Sequence, residues 1–164
     1  MREKGFTAAE VIAALGLEPL SREGGLFRRT WARYTPEGGQ CTASAIYYLL
    51  CDGQFSHLHR LTCDEVYTYI SGAPLELLEL RPDGSAQRHI LGADVEKGQE
   101  PQVVVERGVW QGSRLCPGGS WGLVSTVCCP GFTEDAYEHC LHRTALLRAD
   151  PSWEELLRAL CPEE

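Results

Sequence analysis

Nine runs of strand-forming residues, separated by Gly, Pro and Asp, fill the middle of this 164-residue chain and leave little room there for helices. They are Leu26–Arg33, Thr42–Leu50, Phe55–Leu61, Val66–Ile70, Leu75–Leu80, Ala86–Leu91, Gln102–Glu106, Val109–Arg114 and Trp121–Cys128. Short strands at such regular spacing argue for an antiparallel sandwich or barrel, because each has one face to bury against another layer. Arg81-Pro82-Asp83-Gly84 is the clearest hairpin turn: Pro presets φ, Asp bonds locally and Gly accepts positive φ. Helical signals sit only at the ends. Thr7-Ala8-Ala9-Glu10 reads as a capping box that opens a helix over about 7–16, stopped by Gly16. Thr133, followed by Glu134 and Asp135, and a second box at Ser152-Trp153-Glu154-Glu155 place terminal helix over about 133–160. The expectation is one domain over 1–164 with its barrel core at about 20–132.

Composition removes several classes of function. With 15 Lys+Arg against 23 Asp+Glu and a net charge of −8, the chain lacks the basic footprint that duplex nucleic acid requires. The longest apolar run, Ala43 to Cys51, is interrupted by Ser44 and falls far short of the about 20 residues that cross a bilayer, so no membrane partner is expected. Charged residues at Met1–Phe6 have no apolar stretch behind them, and a cytoplasmic protein is expected. None of the 8 cysteines forms a Cys-x-x-Cys pair, which argues against a zinc knuckle or a redox dithiol and for reduced, mostly buried thiols.

The chemistry-bearing stretch is Gly53 to Gly72. If Phe55–Leu61 is a regular strand, His57, His59 and Leu61 share one face while Leu58 and Arg60 take the other, and the two imidazoles stand about 7 Å apart. On the next strand Glu65, Tyr67, Tyr69 and Ser71 share a face. If both polar sets look inward, the barrel holds a polar pocket with a carboxylate. A plainer reading has two histidines on a half-buried strand, bonded to their neighbours. Tyr47, Tyr67 and Tyr69 likewise read first as barrel packing, and Trp110 and Trp121 as core or interface. Arg60 reads as an ion pair or a lip residue. His139 and His142, with Glu138, read as a solvated face of the terminal helix.

His57-Leu58-His59, Glu65 and Gly72 resemble the first sequence motif of the cupin superfamily, a His-x-His with a later Glu and Gly on two strands of a small jelly roll. Glu106-Arg107-Gly108-Val109-Trp110-Gln111 resembles the second, with Gln111 standing where that motif has a His. Further segments, among them Glu23-Gly24-Gly25-Leu26-Phe27-Arg28-Arg29-Thr30, Gly72-Ala73-Pro74-Leu75 and Pro130-Gly131-Phe132, are similar to one subfamily of compact cupins known as domain of unknown function 985. The resemblance implies an all-β double-stranded β-helix of the cupin type, also described as RmlC-like, with short terminal α-helices, and commonly a homodimer.

The departures from that pattern bear on activity. Gln111 replaces a metal-ligating imidazole and is a poor transition-metal ligand, and five residues instead of three or four separate His59 from Glu65. No cofactor is therefore expected; a divalent metal, if bound, would take His57, His59 and Glu65. Arg29 stands where the subfamily has an acidic residue, and Ser21 where it has a His, changes that favour an anionic ligand through a forked guanidinium donor. The leading expectation is a small-molecule binding protein whose pocket takes a nucleotide, nucleotide-sugar or other anionic metabolite, with His57, Tyr67, Gln111, Arg29, Tyr47 and Trp121 as ligand-binding residues. The alternative is a metal-independent sugar isomerase or epimerase with His59 as base and Glu65 as its orienter. A metal-dependent cupin enzyme ranks third.

Overall fold

A computed structural model describes residues 5–141 and 151–162 of the chain. Helix α1 (Ala8–Leu15) is followed by strands β1 (Glu18–Pro19), β2 (Leu26–Tyr34), β3 (Cys41–Cys51), β4 (Phe55–Leu61), β5 (Asp64–Gly72) and β6 (Leu75–Leu80). Then come β7 (Ala86–Leu91), β8 (Gln102–Val105), β9 (Trp110–Leu115), β10 (Trp121–Cys129), β11 (Tyr137–His139) and helix α2 (Glu154–Leu160). The named strands pair antiparallel in two sheets, one of six strands in the order β1-β2-β3-β10-β5-β8 and one of five in the order β11-β4-β9-β6-β7. No helix among the described residues is long and apolar enough to cross a membrane.

Local chemistry accounts for the element ends. The Thr7 hydroxyl accepts from Glu10 N while Glu10 Oε2 accepts from Thr7 N at 2.8 Å, and Gly16 ends the helix at φ 61°. In the β6–β7 hairpin the Ser85 backbone N–H donates to Asp83 Oδ1 at 2.8 Å, and Gly84 takes φ 87°.

Between the sheets Leu50, Leu75, Leu77, Leu91, Val103, Val105 and Val124 form the main core. The helices cover the outer faces. Val11 and Leu17 pack on Leu49 and Leu123 of the larger sheet, whereas Leu156, Leu157 and Leu160 of α2 pack on Leu58, Leu78 and Leu80 of the smaller one. Strand β6 is consequently buried at all six positions, and its Glu76 is tolerated there because Arg114 and Arg88 donate to it at 2.7 and 3.2 Å.

The C-terminal region departs from the expected helix over 133–160. Glu134–Ala136 is a single 3₁₀ turn, after which Tyr137–His139 pairs with β4. An open strand edge offers unpaired backbone groups, and this segment takes them in preference to helical bonds. His139 therefore lies on a strand and not on a solvated helix face, while His142 falls outside the described residues. Helix α2 begins at Glu154 with Trp153 in the cap position, without a side-chain capping bond from it.

Where β7 meets the chain entering β8, the barrel is closed by backbone and ionic contacts together. Glu100 N donates to Ile90 O, and buried His89 lies between Glu79 (Nε2–Oε1 3.4 Å) and Glu100 (Nδ1–Oε1 2.7 Å). Glu79 first, then Glu100, hold the His89 imidazole above its ordinary pKa against the opposing effect of burial. A raised imidazole pKa contributes stability that is fully present below the unfolded value of about 6.5 and is lost as pH rises through the folded value. The stability gap between wild type and His89→Ala should accordingly be widest below pH 6 and narrow above pH 8; a gap that does not vary with pH would refute this role for His89.

Candidate functional site

The inner face of the larger sheet bounds a cavity of about 490 Å³. Arg29 comes from β2, Ser44, Ile46 and Tyr48 from β3, Glu65 and Tyr67 from β5, and Thr126 and Cys128 from β10. Register puts them together: Cys128 pairs with Ser44 and Glu65, and Thr126 with Ile46 and Tyr67, so one pleat turns all six side chains inward. Leu61 of β4 and the segments around Glu23 and Phe132 complete the wall.

Glu65, only 7% exposed, accepts from Gln111 Nε2 at 2.9 Å, from Tyr67 Oη at 3.2 Å and from the Thr126 hydroxyl. Burial and the nearby Glu23 still raise its carboxyl above the ordinary range. His59 is 1% exposed, with its ring stacked on Tyr137 at 5.0 Å, and its Nδ1 donates to the His57 carbonyl at 2.7 Å. That bond selects the tautomer, and burial lowers the imidazole pKa in spite of Glu65, so the ring is neutral with its lone pair on Nε2.

The histidines do not share a face. Ser56 pairs with Ser113 and His59 with Gln111, so His57 and Leu58 together face Gly112 in a β-bulge. Ser56 and His59 are thereby turned to the same side, and Leu58 goes outward under α2. Half-buried His57 is stacked on His139 with ring centroids 3.8 Å apart, and it lines a second hollow of about 380 Å³ with Glu23, Gln54 and Phe55. The alternation expected for a regular strand fails at this point because one extra residue shifts the pleat.

Of the other expected positions, Tyr67 and Arg29 line the cavity, and Gln111 reaches Glu65 from β9. Tyr47 lies on the outer face beneath Arg28, whose guanidinium carbon is 5.5 Å from its ring centre. Trp121 packs by α1 with Nε1 donating to Phe6 O at 2.9 Å. Neither reaches the cavity. Arg60 pairs with Glu138 at 2.7 Å and lies over Trp110.

Glu23 and Tyr48 are site residues that the strand-by-strand reading passes over. The Glu23 carboxyl accepts from Ser56 Oγ at 2.8 Å, and burial pushes it up to about 7 against that bond. Tyr48 Oη donates to Gly24 O at 3.0 Å. The available signal was Glu23-Gly24-Gly25: at φ 96° Gly24 passes so near β4 that a Cβ would lie 2.6 Å from Phe55 O.

The donor set does not suit a metal. The β-bulge turns His57 away to stack on His139, so it does not converge with His59 and Glu65, and Glu65 already accepts from three donors. Among the described residues no group of three or more His, Cys, Asp or Glu is placed to hold a metal ion.

Two antiparallel sheets around an inward-facing polar cavity define a jelly-roll barrel of the cupin type. Residues 9–140 match the family described as "Cupin superfamily (DUF985)", and the chain belongs to it. Protein SO0799 from Shewanella oneidensis is 32% identical over 98% of this chain and 100% of its own, with a TM-score of 0.87. A hypothetical protein from Leishmania major is 28% identical over 97% and 100% of the two chains, with a TM-score of 0.81. Oxalate decarboxylase from Bacillus subtilis shares the fold alone, at 14% identity over 90% of this chain and 38% of its own, with a TM-score of 0.59. No curated protein matches the chain.

Because the turn at Gly24 sets the position of Glu23, Gly24→Ala should cost about 1–3 kcal/mol. Urea denaturation of the variant with unchanged stability would show that the close approach to β4 is not a constraint.

Proposed function

We propose that this protein binds a small polar metabolite with an anionic group, a nucleotide or nucleotide-sugar being the best-fitting class. The observation that carries the reading is the pre-formed cavity of about 490 Å³, within the roughly 300–1,000 Å³ of small-molecule sites. Glu65, Tyr67, Ser44 and Thr126 offer carboxyl and hydroxyl partners for sugar hydroxyls, and Phe27, Ile46 and Phe132 offer apolar surface for a ring. Arg29 supplies the forked donor for phosphate or carboxylate. Eight cysteines without a disulfide among the described residues suit a reducing compartment such as the cytoplasm.

A second reading, a metal-independent isomerase or epimerase, draws support from the neutral His59 ring electrostatically coupled to Glu65 at the cavity wall. His59 itself is not among the residues lining the cavity, so its part would be played through Glu65. The metal-dependent reading has no matching donor set among the described residues.

A row of apolar side chains crosses the outer face of the larger sheet and supports a homodimer. Trp31, Ala45, Val127, Val66 and Val104 stand in consecutive cross-strand register, with Trp31 47% and Val104 52% exposed. Trp31→Glu should yield a monomer by light scattering where wild type is a dimer; a wild-type monomer would refute the pairing.

In a thermal-shift screen of nucleotides and sugar nucleotides, a ligand at 100 times its Kd should stabilise wild type by about 2.7 kcal/mol. Arg29→Glu should remove that shift. The proposal fails if no compound in either class raises the melting temperature.

A further inference from the structure

Of the four glutamates that line the cavity, Glu18 and Glu134 are exposed, whereas Glu23 is half-buried and Glu65 buried, and the surroundings of these last two differ. Glu65, on β5, takes hydrogen bonds from Gln111, Tyr67 and Thr126, which stabilise its ionised form. Among the described residues Glu23 takes one, from Ser56. Arg28 and Arg29 line the same cavity, but among the described residues no ion pair reaches Glu23, and neighbouring Arg22 is placed over the Tyr137 ring, 4.7 Å from its centre. The Glu23 backbone is held from several sides. His57 N donates to Glu23 O at 2.7 Å, Gly24 N donates to Leu20 O at 3.0 Å, and Arg22 is strained at φ 69°. Two carboxyls of unequal donor count in one cavity share out their roles, with the poorly served one holding a proton more readily than the other.

We propose that Glu23 is the acid of this cavity and Glu65 its base, and that together they enolise a phosphorylated ketose or its aldose isomer. The inference rests on the cavity's binding a small anionic metabolite and deepens that reading. Glu65 carboxylate takes the proton from the carbon beside the carbonyl. The C–H pair becomes the new C=C bond, the carbonyl π pair moves to oxygen, and that oxygen takes the Glu23 proton. The enediol then collapses in reverse. Glu65 returns its proton to the former carbonyl carbon, Glu23 recovers one from the other hydroxyl, and both carboxyls end as they began. Glu65 touches the reacting carbon in this scheme. The Glu23 carboxyl, pushed up to about 7 by burial, keeps a substantial protonated fraction at neutral pH, and that fraction supplies the proton the step requires.

The full chain is incubated in D₂O separately with dihydroxyacetone phosphate, ribulose 5-phosphate and fructose 6-phosphate and followed by proton NMR. Deuterium at the carbon beside the carbonyl, or the isomeric product, is expected with at least one. Glu23→Gln, which mimics the neutral acid, should lower that rate by about 100-fold or more while the probe's Kd stays within about threefold. Glu23→Asp should recover part of the rate, and the wild-type rate should fall as pH rises above 7. The folding equilibrium gives a second readout that needs no probe. A carboxyl with a raised folded pKa makes stability fall as pH rises from its ordinary value toward 7, so Glu23→Gln should match wild type near pH 5 and exceed it at pH 8. Absence of exchange and product with all three probes, an unchanged rate in Glu23→Gln, or identical pH dependence of stability in the two proteins would each overturn the proposal. Failure here with a positive nucleotide shift leaves the binding role standing, whereas a cavity that binds nothing removes both.

Discussion

The constraint on which the site depends is the register of β10 between β3 and β5. Pairing that is unbroken with β3, and with β5 from Val124 to Cys129, settles which side chains look inward on three strands at once. A one-residue slip of β10 against either neighbour would exchange Thr126 and Cys128 for Ser125 and Val127 and line the cavity with a different chemistry. The buried pairing of Glu65 with Gln111 ties this arrangement to the opposite sheet, because a carboxylate in that position is tolerable only with its donors in place.

Electrostatics follow from enclosure. Glu23, Glu65 and His59 are all displaced toward their neutral forms by loss of water, and their differences come from the few polar atoms that reach each of them. Gln111 matters in the same way. Where a ligating imidazole would draw Glu65 toward a metal, an amide donates to it, and the centre becomes a hydrogen-bonded carboxylate facing an open cavity. The family relationship establishes the barrel and leaves the chemistry to these side chains, since one fold hosts many activities.

Much of the architecture was legible before any coordinates. The runs Phe55–Leu61, Leu75–Leu80 and Ala86–Leu91 coincide with β4, β6 and β7, and the capping box at Thr7 and the turn at Arg81–Gly84 form as their chemistry dictates. Strand β11 was not legible, because Tyr137–His139 becomes extended only through pairing with an edge that lies far away in sequence. Tyr47 was the β3 tyrosine expected at the pocket, and Tyr48 is the one found there. Alternation separates the two faces of a strand without saying which is inside, and packing of Tyr48 with Leu50 and Val124 decides it.

The amino-acid sequence by itself determined the strand periodicity, the turns, the cupin resemblance and the shared face of Glu65 and Tyr67, all of which depend on local preference and a period of two. Only the tertiary structure decided that His57 leaves the face of His59, that Tyr47 and Trp121 lie outside, and that Glu23 joins Glu65 at one cavity. Bulges and loop placement are set by the fit of distant strands and by what each backbone group can pair with, and neither quantity is carried by spacing along a single segment.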